Sequence, residues 1–195
     1  MLDLWGDLET FSRNPLKDGV HKYAEAAEIM LWSWAMGDGQ IFVWDLMNKS
    51  VHWEDELSGL WESTPTSGAI PHDLVMGLMN EETLVWFQNG GMFDFVILEV
   101  CKPGVAKMID KHRRRDTMVQ AFCHSLPGAL DKMGSALSLV ENDRKSRRGK
   151  ALINLFCKPQ NEAFVKTYGT DRASKKTHPV QWQEFITYAG ADITT

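Results

Sequence analysis

The sequence lacks three features that would assign a protein to a common class at once. No apolar run approaches the length that spans a bilayer, so the chain is not expected to enter a membrane. The first residues carry no basic segment, which predicts no signal peptide and a cytoplasmic location. Cys101, Cys123 and Cys157 match no zinc-ligand spacing, and their odd number argues against a full disulfide set, so we expect three reduced, buried thiols.

Positive charge is also scarce, since 21 Lys and Arg stand against 26 Asp and Glu, a net charge of −5. This balance is not typical of a protein that grips nucleic acid by bulk charge. It does not exclude an enzyme of nucleic acid, because bound cations would reverse the local sign of an acidic site. The 195 residues are enough for one domain, residues 1–195, with a substantial core.

Hydrophobic periodicity predicts an α/β fold. We predict strands over residues 2–8, 29–36, 40–46 and 83–87, with a hairpin turn at Gly37-Asp38-Gly39. Helices are predicted over 72–79, 92–100, 116–124, 129–139 and 180–194. Residues 48–70 and 158–178 are predicted to be irregular, the second because it holds few large apolar side chains.

Three acidic motifs suggest chemistry. Asp7 and Glu9 are two apart on a predicted strand, so both carboxylates point to one face. Asp94 opens a predicted helix after a glycine turn, where the helix dipole favours a carboxylate. Tyr188 and Asp192 are four apart on the last predicted helix and share a face. Four carboxylates and a tyrosine suit a site where two divalent cations cut a phosphodiester bond.

Taken singly, each motif is better explained by ordinary surface charge: acids at a strand end, an acid at a helix start, a half-buried tyrosine. In combination, Asp7-Leu8-Glu9, Asn89-x3-Phe93-Asp94 and Tyr188-x3-Asp192 resemble the three motifs of the DEDD 3′–5′ exonucleases. Because Tyr188 stands in the third motif, the chain resembles the tyrosine subclass of these exonucleases. Further segments, at 8–12, 116–118, 124–130 and 149–153, are similar to the proofreading domain of phage-type family A DNA polymerases, so the resemblance spans nearly the whole chain.

This resemblance implies a ribonuclease H-like fold, with a mixed five-stranded sheet flanked by helices. It implies two cations, Mg²⁺ or Mn²⁺, which oxygen ligands and a phosphate substrate also favour. Asp7, Glu9, Asp94 and Asp192 would be the metal ligands, and Tyr188 would help to orient the attacking water. The residues expected to contact the substrate are Leu8, Thr10, Asn89, Phe93, Arg147, Arg148 and Lys150, with His112–Arg115 as a second basic cluster.

The expected function is hydrolysis of single-stranded DNA from its 3′ end to nucleoside 5′-monophosphates, a proofreading activity. The chain is expected to act as a monomer, and a polymerase domain is the expected partner if the sequence is a fragment of a longer polymerase. Two alternatives stay open: a non-catalytic nucleic-acid-binding domain of the same fold, and an exoribonuclease of the same superfamily.

Overall fold

The protein folds as a mixed β-sheet with helices on both faces, which confirms the α/β class. The computed structural model describes residues 2–55, 57–137 and 143–193. Within these ranges lie seven strands: β1 (Leu2–Ser12), β2 (Ala27–Met36), β3 (Phe42–Asp45), β4 (Ser50–Glu54), β5 (Trp61–Pro65), β6 (Thr83–Phe87) and β7 (Arg114–Asp116). The helices are α1 (Val20–Glu25), α2 (His72–Met79), α3 (Asp94–Cys101), α4 (Pro103–Ala106), α5 (Thr117–Cys123), α6 (Leu130–Ala136), α7 (Asp143–Phe156), α8 (Glu162–Tyr168) and α9 (Pro179–Ala191).

The strand order is β5-β4-β3-β2-β1-β6-β7, which places β1 inside the sheet. Strand β1 pairs antiparallel with β2 and parallel with β6. Its pairing with β2 shifts register between Glu9 and Thr10, a bulge of the kind that often re-aims side chains next to a functional site.

Two hydrophobic clusters cover the two faces of the sheet. Successive side chains of β1 point to opposite faces, so each cluster takes alternate residues of this strand. One cluster joins β1 to α2 and α3 and contains Leu4, Leu8, Leu74, Leu78, Phe95 and Leu98. The other joins β1 to α7 and α9 and contains Phe11, Leu152, Phe156, Trp182, Phe185 and Ile186.

Helix α9 is fixed to the sheet at two points. Trp182 donates an indole N–H to the carboxylate of Asp45 on β3, at 2.7 Å, and both residues are buried. Near the other end of the helix, Gly190 lies against Trp61 of β5, and a Cβ added at Gly190 would stand 2.5 Å from the ring. The helix therefore approaches the sheet closely just before Asp192.

The predicted five-stranded sheet is wrong in number, because β4 and β5 extend it within the segment 48–70 that was predicted to be irregular. Strand β4 pairs with β3, and β5 pairs with β4. The hydrophobic pattern of the segment does not predict this pairing. In β5, Trp61 is half-buried and the other four residues are exposed. The strand therefore lacks the alternation of apolar and polar residues that predicts a strand.

Two further segments differ from their sequence-based prediction. Helix α8 lies inside the predicted loop 158–178; the Asn161 side chain caps its first turn, and Gly169 ends it in the left-handed region. The thiols are unpaired as expected, but Cys123 is exposed and Cys101 is half-buried, so only Cys157 is buried. No helix in the described ranges is long and apolar enough to cross a membrane.

Candidate metal centre

Strand β1 supplies the first two carboxylates of the site. Asp7 and Glu9 are two residues apart and point to the face that α9 covers. Asp192 arrives at the C-terminal end of α9. One carboxylate oxygen from each of the three residues lies within 4.8 Å of the others. Two oxygens bound to one Mg²⁺ lie at most about 4.2 Å apart, so a small side-chain adjustment would let the three residues share a cation.

Asp94 lies beside this group without being a member of it. It is the first residue of α3 and is 3% exposed. Burial raises the pKa of Asp94 well above its usual range, and the negative charge of Asp7 raises it further. Hydrogen bonds from the backbone N–H groups of Asp94 and Leu8 act in the opposite direction. Asp94 therefore interacts electrostatically with Asp7, which belongs to the cluster.

Burial and mutual repulsion raise the pKa values of the two carboxylates on β1. Burial, followed by the charge of Asp192, raises the pKa of Asp7 to about 7. Burial also raises the pKa of Glu9 well above its usual range, and the charges of Asp7 and Asp192 add to the effect. A divalent cation would remove this repulsion.

Tyr188 lies one helical turn before Asp192 on α9. Its hydroxyl donates a hydrogen bond to Asp192, and burial together with the charge of Asp192 raises the pKa of Tyr188 above its usual range. The hydroxyl therefore stays protonated and available as a donor. The ring is half-buried and lies parallel to Phe185, with centroids 6.5 Å apart.

Gly149 of α7 is a site residue that sequence reasoning missed. A Cβ added at Gly149 would stand 2.3 Å from Cε2 of Tyr188, so the helix can approach the ring only because no side chain is present. The sequence gives a weak signal for this: a glycine inside a helix costs stability and calls for a packing reason.

Cys157 is the second residue that sequence reasoning missed. Its thiol donates a hydrogen bond to Oε2 of Glu9, with Sγ and Oε2 3.6 Å apart. The two residues are far apart in the chain, and the cysteine spacing matches no ligand motif, so no local signal could have revealed the contact.

A cavity of ≈ 700 Å³ opens next to Glu9. Its wall includes two residues predicted to contact substrate, Thr10 and Phe93. The Thr10 hydroxyl shares a hydrogen bond of 2.8 Å with the Tyr23 hydroxyl, and the Phe93 and Tyr23 rings are tilted with centroids 5.7 Å apart. The cavity also reaches Leu8, whose side chain is 5% exposed and belongs to the core cluster on α3.

Asn89 forms the turn between β6 and α3. Its backbone is left-handed (φ 61°), its N–H donates to Asp116, and its carbonyl accepts from the N–H groups of Met92 and Phe93. This turn places Asp94 at the start of α3, so the visible role of Asn89 is to shape the backbone.

The two basic clusters, His112–Arg115 and the residues on α7, differ in how many of their cations are engaged by other protein groups. Arg113 is 8% exposed, and its guanidinium donates to four backbone carbonyls, so it holds the fold together. Arg114 is paired with Glu99. In the cluster on α7, Arg148 is paired with Glu184, and Lys150 is exposed. The side chain of Arg147 lies outside the described residues.

No protein-family model matches the chain, and no curated protein matches it significantly.

Proposed function

We propose that this protein is a two-metal-ion 3′–5′ exonuclease that hydrolyses DNA from the 3′ end and releases nucleoside 5′-monophosphates. One observation carries the proposal: Asp7, Glu9 and Asp192 meet within 4.8 Å, and the charge of Asp94 reaches the same point. A strand, a helix start and a helix end supply these acids. Buried acids in such mutual repulsion are costly unless a bound cation compensates them.

The donor set fits Mg²⁺ or Mn²⁺. All four candidate ligands are carboxylates, which these hard cations prefer, and the group holds no imidazole or thiolate that would select zinc. Burial, and after it the mutual repulsion of the acids, raises the pKa values of Asp7, Glu9 and Asp94, and dications would offset that repulsion.

The proposed roles follow from position. When bound, two cations generate a nucleophilic water and stabilise the leaving oxygen. Asp7 interacts electrostatically with both Asp192 and Asp94 and would be a ligand for the cations. Glu9 and Asp192 would help to hold one cation, and Asp94 would help to hold the other. The Tyr188 hydroxyl donates to Asp192 in this structure, and once Asp192 holds a cation this hydroxyl would turn to donate to the attacking water and orient it together with Glu9.

The cavity beside Glu9 is the proposed seat of the terminal nucleotide. Phe93 offers an aromatic surface on its wall, and bases stack on such surfaces regardless of sequence. Lys150 and Arg148 on α7 supply positive charge for the phosphates. The proposed setting is a monomer in the cytoplasm, acting on single-stranded 3′ ends as a proofreading module beside a polymerase domain.

The sheet also supports a ribonuclease H-like fold. Strands β3-β2-β1-β6-β7 form a mixed set of five, with β1 to β3 antiparallel and with β6 and β7 parallel to β1. In this proposal β4 and β5 are additions at the edge beyond β3.

A digestion of end-labelled oligonucleotides tests the proposal. Wild-type protein with Mg²⁺ or Mn²⁺ should release labelled mononucleotide from 3′-labelled single-stranded DNA at once and shorten 5′-labelled DNA stepwise, and a chelator should stop both. Asp7→Ala should abolish cleavage, because it removes a proposed metal ligand, and should leave the fold intact, because the lost carboxylate is half-buried and repelled by Asp192. Asp73→Ala, which removes an exposed acid on α2, is the matched control.

The outcomes separate the alternatives. Digestion of RNA but not DNA would indicate the exoribonuclease, and DNA binding without cleavage would indicate the non-catalytic domain. Cleavage by purified Asp7→Ala at the wild-type rate would show that the ligand assignment is wrong.

A further inference from the structure

The contact between Cys157 and Glu9 lies at the inner edge of the proposed metal site. Both residues are 8% exposed, and both line the ≈ 700 Å³ cavity. The thiol donates to Oε2 of Glu9, with Sγ and Oε2 3.6 Å apart. A carboxylate with one oxygen engaged in this way keeps its second oxygen for another partner, and its rotation is restricted.

The thiol is held in place by the packing of α7 on α9. Cys157 follows the last residue of α7, and its N–H donates to the Ile153 carbonyl at 2.9 Å. Phe156, next to it, is fully buried, with ring centroids 5.0 Å from Trp182 and 5.1 Å from Phe185. These two aromatic residues belong to α9, the helix that ends at Asp192. The thiol donor and Asp192 are thus fixed relative to each other by one cluster.

Glu9 has more side-chain freedom to restrict than the other two carboxylates of the group. It lies next to the register shift in the β1–β2 pairing, and its side chain has more rotatable bonds than those of Asp7 and Asp192. Asp7 and Asp192 lie close to Glu9 and repel its charged form. The thiol donor stabilises that charged form and fixes one of the Glu9 oxygens.

We propose that Cys157 is a positioning residue that fixes the orientation of the Glu9 carboxylate beside Asp7 and Asp192 and thereby raises the affinity of the site for its divalent cation. This inference rests on the proposed function of the carboxylate cluster. Hydrogen-bond partners of metal ligands commonly change metal affinity by about 10–100-fold when they are removed. A thiol is a weak donor, so we expect the lower end of that range.

The test compares Mn²⁺ binding by electron paramagnetic resonance in wild type, Cys157→Ala, Cys157→Ser and Cys101→Ala. Cys157→Ala should raise the Mn²⁺ dissociation constant by about 10-fold. Cys157→Ser, which keeps a hydroxyl donor, should recover a large part of the loss. Cys101→Ala is the matched control, because the Cys101 thiol donates to the backbone carbonyl of Ala27, at 3.3 Å, rather than to a carboxylate.

Cleavage rates give a second readout that general loosening of the core would not reproduce. The activity of Cys157→Ala should need about 10-fold more Mg²⁺ to reach half of its plateau, since the loss lies in metal affinity, and Cys157→Ser should need less Mg²⁺ than Cys157→Ala. Thermal unfolding of each variant shows whether the fold is retained.

Two results would overturn the inference: a Cys157→Ala protein that binds Mn²⁺ as tightly as wild type, or a Cys157→Ser protein no better than Cys157→Ala. They differ from failure of the proposed function, in which wild type itself neither binds Mn²⁺ at the cluster nor cleaves DNA, and which removes both proposals together.

Discussion

Replacing Gly149 by alanine adds one methyl group against the ring of Tyr188. The new Cβ would stand 2.3 Å from Cε2, 2.9 Å from Cζ and 3.0 Å from Cδ2. Non-bonded carbons settle at about 3.5–4.0 Å, so the ring and the helix must separate by about 1 Å or more. The parallel ring of Phe185 and the hydrogen bond to Asp192 restrict where Tyr188 can go. The displacement therefore reaches the hydroxyl that is proposed to orient water.

The expected cost falls on activity more than on stability. A misplacement of about 1 Å in a positioning group can lower a rate by about 100-fold. In stability, the helix gains about 1 kcal/mol from alanine in place of glycine and loses about 1–3 kcal/mol from overpacking, so the two effects largely offset each other.

Single-turnover cleavage of a 5′-labelled oligonucleotide at saturating Mg²⁺ measures the first effect, and thermal unfolding measures the second. Gly134→Ala is the matched control, because an added Cβ at this helical glycine of α6 meets no described atom within 4 Å. Gly149→Ala cleaving at the wild-type rate, or Gly134→Ala being equally slow, would refute the reasoning.

Three more outcomes are expected. The pKa of Asp7 is about 7 in the folded protein, above the ordinary value of 3.8, so the folded state binds the carboxyl proton more tightly than the unfolded state does. The contribution of Asp7 to the free energy of unfolding therefore falls as the pH rises from 4 to 7. In chelator, urea unfolding across this range should show a shallower decline for Asp7→Asn than for wild type, and identical slopes would contradict the burial argument. Arg113→Ala leaves the carbonyls of Leu78, Asn80, Thr83 and Met108 without their donor and should lower the free energy of unfolding by about 3 kcal/mol or more. Arg115→Ala should cost far less, because its guanidinium donates to the carbonyls of His112 and Arg114, both close to it in the chain. A small loss for Arg113→Ala would count against its structural role. Lys150→Ala should weaken single-stranded DNA binding in an Asp7→Asn background and lower the salt slope by about 0.7, with exposed Lys166→Ala on α8 as control; an unchanged slope would remove Lys150 from the DNA path.

Local periodicity was sufficient to predict which site residues share a face of the same strand or helix. A spacing of two on a strand aligns Asp7 with Glu9, and a spacing of four on a helix aligns Tyr188 with Asp192, and the described structure contains both alignments. The convergence of the two pairs depends on how α9 crosses the sheet, which the buried Trp182–Asp45 hydrogen bond helps to set. Periodicity carries no information on such a contact.

Several of the features that sequence reasoning missed depend on contacts outside their own segment. Strand β5 is an exposed edge strand defined by its ladder with β4, so its composition reads as a loop. Gly149 has meaning only against Tyr188, and Cys157 only against Glu9. Arg113, in a run that suggests a nucleic-acid contact, is buried because the carbonyls at the ends of α2 and β6 surround it.

The most direct test of the central claim is anomalous diffraction from crystals grown with Mn²⁺. The account predicts a manganese peak bonded to oxygens of Asp7, Glu9 and Asp192, and a second peak about 3.5–4 Å away on the side of Asp94 when substrate is bound. Manganese bound elsewhere while these carboxylates hold none would contradict the proposed metal centre and the nuclease function that rests on it.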